Sequence, residues 1–421
     1  MLLANADGTY RPSYFLIQVD SNEDVSSILS SHEATFVHEY IHLLQDLILP
    51  YCIRQNLSQL SEFFQIVDEA MQSRSIRLPV NIRNDDLDAI NLQSKYTWGG
   101  GEFFDKVTCI IDIESESKSF DGPQGSFDVY KYTVTTDSGL KYHIGARDFL
   151  EYIAYKIENK HWPSQAPDLP YNSIDLLFNY MGLSHVCEQV KVCVAEYCLL
   201  NDNPMRRLVV LIDDIKKIDL KLLDDYQSCK NFLLKFNWVA RGQAPETIEN
   251  KIERRTLQLK EYLQLKFSID NFPGIYLWID SVIDYAKNEL NGKLLFSELH
   301  GLNVTEFNKK ITGILGRIGI PLVLNRNYEI GTSLQTSSGN PEFIQLLMAY
   351  EFSNYVKLKY LTCPLCDVCE AGDPNIMNSD CIDAPFRNAF KEELCPFGVF
   401  IKSHGLSQVV WYSNGQPIRG V

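Results

Sequence analysis

The sequence has no run of about 18 or more apolar residues, and no basic start leading into an apolar core and a small-residue cleavage site. Both absences lead to the expectation of a soluble, cytoplasmic protein with no membrane partner. An excess of positive charge is also missing: 39 Lys and Arg stand against 54 Asp and Glu, a formal charge of −15. Such a surface repels phosphate backbones, which excludes nucleic acid as a general partner. Internal repeats and low-complexity segments are absent, so solenoids and disordered tails drop out. The cysteines number eleven, an odd count without a secretion signal, which points to reduced thiols or metal ligands and away from a disulfide framework. What is present is ordinary for a globular protein: 421 residues, 45% hydrophobic and 22% charged, long enough for two or three domains.

Taken in order, the chain reads as α+β and mainly helical. Residues 14–20 form an apolar run of buried-strand type, closed by polar residues 21–24. Ser30 or Ser31 then offers an N-cap to a helix running to Pro50, and a second helix is expected over 57–73. The texture changes between 96 and 145. Trp98-Gly-Gly-Gly101 is a turn, 107–113 has strand character, 128–135 alternates like a half-buried strand, and Asp137-Ser-Gly139 turns into 141–144. This is the pattern of a small antiparallel sheet inserted between helices. Helix returns at 146–158 and, with breaks at Pro163, Pro167 and Pro170, continues through 173–200. Further helices are expected at 243–266, 275–290 and 341–361, a strand-rich connection at 318–328, and closing strands at 398–403 and 409–412.

The chemistry is concentrated in Thr35-Phe-Val-His38-Glu39-Tyr-Ile-His42-Leu-Leu-Gln45-Asp46. On a helix, His38 and His42 lie one turn apart and about 40° around the axis, so both imidazoles face the same side. With Glu39 beside them this is the H-E-x-x-H arrangement: two rings for one Zn²⁺, and a carboxylate able to take a proton from a metal-bound water. Apolar residues nearly encircle the helix, so its polar groups need buried partners, and a metal is one answer. The competing reading is a pair of core histidines bonded to backbone, with Glu39 on a solvated edge. Gln45 and Asp46 are candidates to orient an imidazole.

A catalytic zinc takes three protein ligands and keeps one position open. Ile48 stands six residues after His42, where a longer signature would place a third His, so the third ligand lies elsewhere. Glu151 is one candidate, set among Phe149, Leu150, Ile153 and Ala154, where an unpaired carboxylate is costly. Glu188, in His185-Val-Cys-Glu188, is the other.

His38-Glu39-x-x-His42 followed by a helix with Glu151-x-x-Ala154 resembles the zinc metallopeptidases of the zincin group whose third ligand is glutamate, the gluzincins. The resemblance covers two short segments, and Tyr155 stands where the thermolysin-like pattern has Asp. It implies a Zn²⁺ held by His38, His42 and Glu151, Glu39 as general base, and a zincin-like core over 1–200 that carries the inserted β segment. A helical domain over 201–360 and a Cys-rich C-terminal segment over 361–421 complete the division. Tyr152, Tyr155 and His161 are candidates for an oxyanion donor. The alternating 128–135 strand is a candidate edge for an extended peptide.

Five cysteines crowd together: Cys363-Pro-Leu-Cys366-Asp-Val-Cys369, then Cys381 and Cys395. C-x-x-C with two further thiols can build a structural Zn²⁺ site, although the second C-x-x-C of a zinc ribbon is missing and five thiols compete for four places. Reduced cysteines in a compact loop are the alternative. The expected function is a zinc-dependent metallopeptidase acting on protein or peptide, gated by narrow specificity or by a regulatory protein partner. The alternative from another class is a non-catalytic, metal-stabilised regulatory or binding protein, for which Glu39 is dispensable.

Overall fold

An amino-terminal hairpin comes first in the computed structural model, which describes residues 8–81, 85–121, 126–235, 247–320, 322–331, 341–357, 362–413 and 415–418. Strand β1 (Gly8–Arg11) pairs antiparallel with β2 (Leu16–Val19). Helix α1 (Val25–Ser31) follows, and the motif helix α2 spans Glu33–Ile48. The expected serine cap does not form. Ser31 closes α1 with its hydroxyl donating back to the Ser27 carbonyl, and His32, at φ −123° and ψ 41°, separates the two helices. Leu49 is extended because a proline follows it, and Pro50 starts α3 (Pro50–Ser73), which therefore begins before the expected residue 57.

Strand β3 (Ser75–Leu78) and helix α4 (Asp85–Trp98) lead into the insert, where β4 (Ile110–Phe120), β5 (Phe127–Thr136) and β6 (Lys141–Ile144) form an antiparallel sheet in that order. The turn after Thr136 folds β6 onto β5 at 132–135, which is therefore paired on both sides, whereas 128–131 pairs with β4 alone among the described strands.

Helices α5 (Ala146–His161), α6 (Asp168–Tyr171), α7 (Ser173–Tyr180) and α8 (Glu188–Cys198) follow. Next come α9 (Pro204–Ile218), α10 (Tyr226–Leu234), α11 (Ile248–Lys266), α12 (Pro273–Tyr285), α13 (Leu295–Gly301) and α14 (Val304–Ile318). The last part holds β7 (Leu322–Leu324), β8 (Ile330–Gly331), α15 (Ile344–Lys357), α16 (Cys366–Gly372), α17 (Asp380–Asp383), α18 (Pro396–Ser403), β9 (Val410–Ser413) and β10 (Gln416–Pro417). Residues 398–403 are thus helical, not a strand: Cys395 caps the helix, and Pro396 at its first position presets φ.

The fold is α+β and mainly helical, with three small sheets among the described residues. β7 pairs in parallel with β2, giving the order β1-β2-β7-β8, and β9 pairs in parallel with β3. One hydrophobic cluster runs from Tyr10 to Trp411, so early and late parts of the chain share a core. Buried beside it is Lys266, 2% exposed, whose ammonium lies 4.1 Å from the centre of the Phe63 ring and 4.7 Å from that of Tyr14, with no hydrogen-bond partner among the described residues. Among the described residues no helix is long and apolar enough to cross a membrane.

Candidate metal centre

Two helices build the site. α2 carries His38, Glu39 and His42, and α5 packs against it with Glu151 on the facing side. Ala154, fully buried, keeps the packing surface of α5 low just beyond Glu151. The start of α5 is fixed by a close backbone approach. A Cβ on Gly145 would stand 2.5 Å from the Gly99 nitrogen and the Thr97 oxygen. Asp148 then accepts from the Gly145 N–H (2.8 Å) and from the Tyr142 hydroxyl (2.8 Å), with its pKa pushed up to about 7 by burial.

His38 Nε2 and His42 Nε2 lie 3.2 Å apart, and Glu151 Oε2 is 3.4 Å from the first and 3.5 Å from the second. Their ligating atoms all fall within 4.8 Å of one another. The opposite ring nitrogens are both engaged: His38 Nδ1 with Glu158 Oε2 at 2.8 Å, and His42 Nδ1 with Gln45 Oε1 at 2.7 Å. Gln45 is itself oriented by donating to the Leu150 carbonyl on α5 (3.2 Å). Both Nδ1 atoms therefore act as donors, which leaves the two Nε2 lone pairs converging on one carboxylate oxygen. Three electron-rich atoms so close together repel unless a cation or proton lies between them, and two imidazoles with one carboxylate suit a divalent metal such as Zn²⁺. Burial alone would raise the Glu151 pKa, but with a proton on each Nε2 in place of a metal the two imidazolium charges overcome it and hold the carboxyl well below the usual carboxylate range.

Glu39 lines the same cavity but is not one of the three converging residues. It is 5% exposed and accepts a hydrogen bond from the Tyr10 backbone N–H, so β1 lies directly against its carboxylate. Burial raises its pKa, with His38 and His42 opposing. That close approach requires glycine at position 8, where a Cβ would stand 2.6 Å from Thr35 Cγ2 and 3.0 Å from Glu39 Oε1. His38, Glu39, His42 and Glu151 all line a cavity of about 610 Å³, with β1 along one wall and Tyr171 on another. The Tyr171 ring meets His38 edge-on at 6.1 Å, between Phe103 and Tyr155. Burial and the charges of Glu151, Glu39 and Glu158 raise its pKa, keeping the phenol a donor.

Other sequence candidates lie elsewhere. Glu188 is on the far end of α8, bound to His300 (2.8 Å) and Lys156 (3.2 Å), and His185 is exposed. Asp46 reaches no imidazole nitrogen. It accepts from the Tyr10 hydroxyl (2.8 Å) and the Ser13 N–H (3.0 Å), tying β1 to α2, with its pKa pushed up to about 6 by burial. Tyr152 donates to Asp175, and His161 stacks on Phe307 at 4.1 Å, both outside the cavity lining. Tyr155 lines the cavity, but its hydroxyl is engaged by the Ser164 carbonyl (3.0 Å). The residues that sequence reasoning missed are Glu158, Tyr171 and the β1 backbone. Glu158 had a signal, since it follows Glu151 by seven residues on the same face of α5. Glu158→Ala is expected to weaken zinc binding by about 10- to 100-fold, because His38 loses the carboxylate that fixes its tautomer and direction. Competition against a chromogenic chelator measures it.

The five clustered cysteines line a separate, small cavity of about 10 Å³. Compared with known protein families, with characterised proteins and with solved structures, the chain gives no match.

Proposed function

We propose that the chain is a zinc-dependent metallopeptidase that hydrolyses protein or peptide amide bonds. The observation that carries this reading is the meeting of His38, His42 and Glu151 at the wall of a cavity that Glu39 also lines. A zincin-like core and a cytoplasmic setting belong to the same proposal. Bound by these three residues, Zn²⁺ would supply Lewis acidity, acidifying a water and polarising the substrate carbonyl. Glu39 takes the proton from the attacking water and delivers it to the leaving amine, and its raised pKa suits both transfers. Glu158 and Gln45 hold the imidazoles in place. Tyr171 donates to the developing oxyanion. Strand β1, with β2 on one side and the cavity on the other, gives an extended substrate an edge to lie along. A buried centre of this kind fits narrow specificity or control by a protein partner.

Hydrolysis of a quenched-fluorescence peptide library by the zinc-loaded chain tests the reading. Activity should stop with 1,10-phenanthroline and return with zinc, and zinc should be lost from His42→Ala and from Glu151→Ala. Zinc bound at these residues with no hydrolysis across the library would leave a structural metal instead. Tyr171→Phe is expected to lower kcat by about 10²-fold with KM little changed, as for removal of one oxyanion donor. An equal loss in KM alone would return Tyr171 to a packing role.

A further inference from the structure

We propose that Cys363, Cys366, Cys381 and Cys395 form a second, structural site for a soft divalent cation, zinc above all, with Cys369 left outside the ligand set. Five cysteine side chains converge on one cavity of about 10 Å³, and its other walls are Leu365, Ile376, Met377 and Phe397. Such a space holds about one water, yet none of these side chains offers an oxygen or nitrogen to bind it. Thiolate sulfur is the ligand that selects zinc and similar soft ions.

The choice among the five rests on the donors aimed at sulfur. The Gly398 N–H donates to Cys395 Sγ (3.4 Å), Asn388 Nδ2 to Cys381 Sγ (3.7 Å), and the Leu365 backbone amide to the Cys363 sulfur. Neutral thiols are weak acceptors, so N–H groups converging on sulfur favour the thiolate form that a metal needs. Cys395 also caps α18, whose helix dipole favours negative charge there. Cys366 is included on position: Cys366 Sγ donates to the Cys381 carbonyl (3.8 Å) and its side chain meets that of Cys363, which sets it beside two of the other ligands. Cys369 lies within α16 with no such donor directed at its sulfur among the described residues.

The surrounding segment has reason to need a staple. Its α-helices are only 7, 4 and 8 residues long, joined by short 3₁₀ turns and loops. Among the described residues, only the His38, His42 and Glu151 group has three candidate ligand atoms all within 4.8 Å. The sulfurs must therefore draw inward on binding, to a metal–sulfur distance of about 2.3 Å. Each of the four thiols releases its proton to solvent as it does so.

The test uses the full chain carrying His38→Ala and His42→Ala, which silences the first site and makes the outcome independent of the peptidase reading. Purified under reducing conditions, this protein should retain one zinc by elemental analysis. Cobalt loading should give the sulfur-to-metal charge-transfer absorption of a tetrahedral thiolate site. Adding Cys369→Ser should leave both signals intact, whereas Cys381→Ser or Cys395→Ser should abolish them. If those variants fail to fold, titrating the folded parent with a mercurial in the presence of a chromogenic chelator should release the single zinc. Absence of zinc with all thiols reactive, or a disulfide among these cysteines, would overturn the proposal, as would loss of metal from Cys369→Ser.

Discussion

Glu39→Gln should lower the rate of peptide hydrolysis by about 10²- to 10⁴-fold while leaving zinc content and melting temperature as in the parent. Glu39 is outside the convergence of His38, His42 and Glu151, so the metal has no need of it. The amide oxygen of Gln can still accept from the Tyr10 N–H, the contact that seats β1 against α2. What the substitution removes is the ability to take a proton from water. The loss should therefore fall on kcat with little change in KM, a pattern read from steady-state kinetics beside elemental analysis. Equal rates in parent and variant, with zinc retained in both, would show that the base is unused and favour the non-catalytic, metal-stabilised alternative.

Lys266→Met is expected to stabilise the chain by about 1–3 kcal/mol at neutral pH, the cost of burying a polar group without a hydrogen-bond partner. Burial pushes the Lys266 amine down to about 7, in surroundings formed by the rings of Phe63, Tyr14 and Phe267. Met keeps the length of the stem and packs well against aromatic rings. The pH dependence follows from proton counting. Between about pH 7 and the ordinary lysine value of about 10.4, the unfolded amine holds a proton that the folded one lacks, so this residue makes stability rise with pH across that window. Below pH 7 the proton is bound in both states and the penalty is constant. Urea unfolding of both proteins should therefore show the advantage of Lys266→Met largest near pH 7 and shrinking towards pH 10. A gap that does not change with pH would mean the amine stays charged in the folded chain, stabilised by the rings.

Those features of the site that depend on local spacing were legible in the sequence. His38 and His42 share a helix face because four residues make just over one turn, and Glu151 stood out as a carboxylate among apolar neighbours. Tyr152 failed as an oxyanion donor for the same local reason: as the next residue after Glu151 it points about 100° away around α5 and meets Asp175. Tyr171 and β1 could not be read, since only tertiary packing brings them to the cavity. The insert was recognisable as antiparallel strands, but the pairing order that buries β5 between β4 and β6 depends on a turn whose direction alternation does not specify. Residues 398–403 have strand-like composition, and what decided for helix was the Cys395 cap with Pro396 behind it. The cysteines were visible as a cluster, whereas the donors that separate Cys369 from the other four come from residues such as Asn388 and Gly398.

The parallel pairing of β2 with β7 has a consequence for biosynthesis. Residues 16–18 wait for partners at 322–324, so the wall beside Glu39 lacks its support until the ribosome has added roughly 300 more residues. At ordinary elongation rates that is a delay of about 15–60 s. An emerging polypeptide, or one cut short before β7, would carry His38, Glu39 and His42 yet leave the sheet behind β1 unfinished, so this wall of the cavity is completed only late in synthesis.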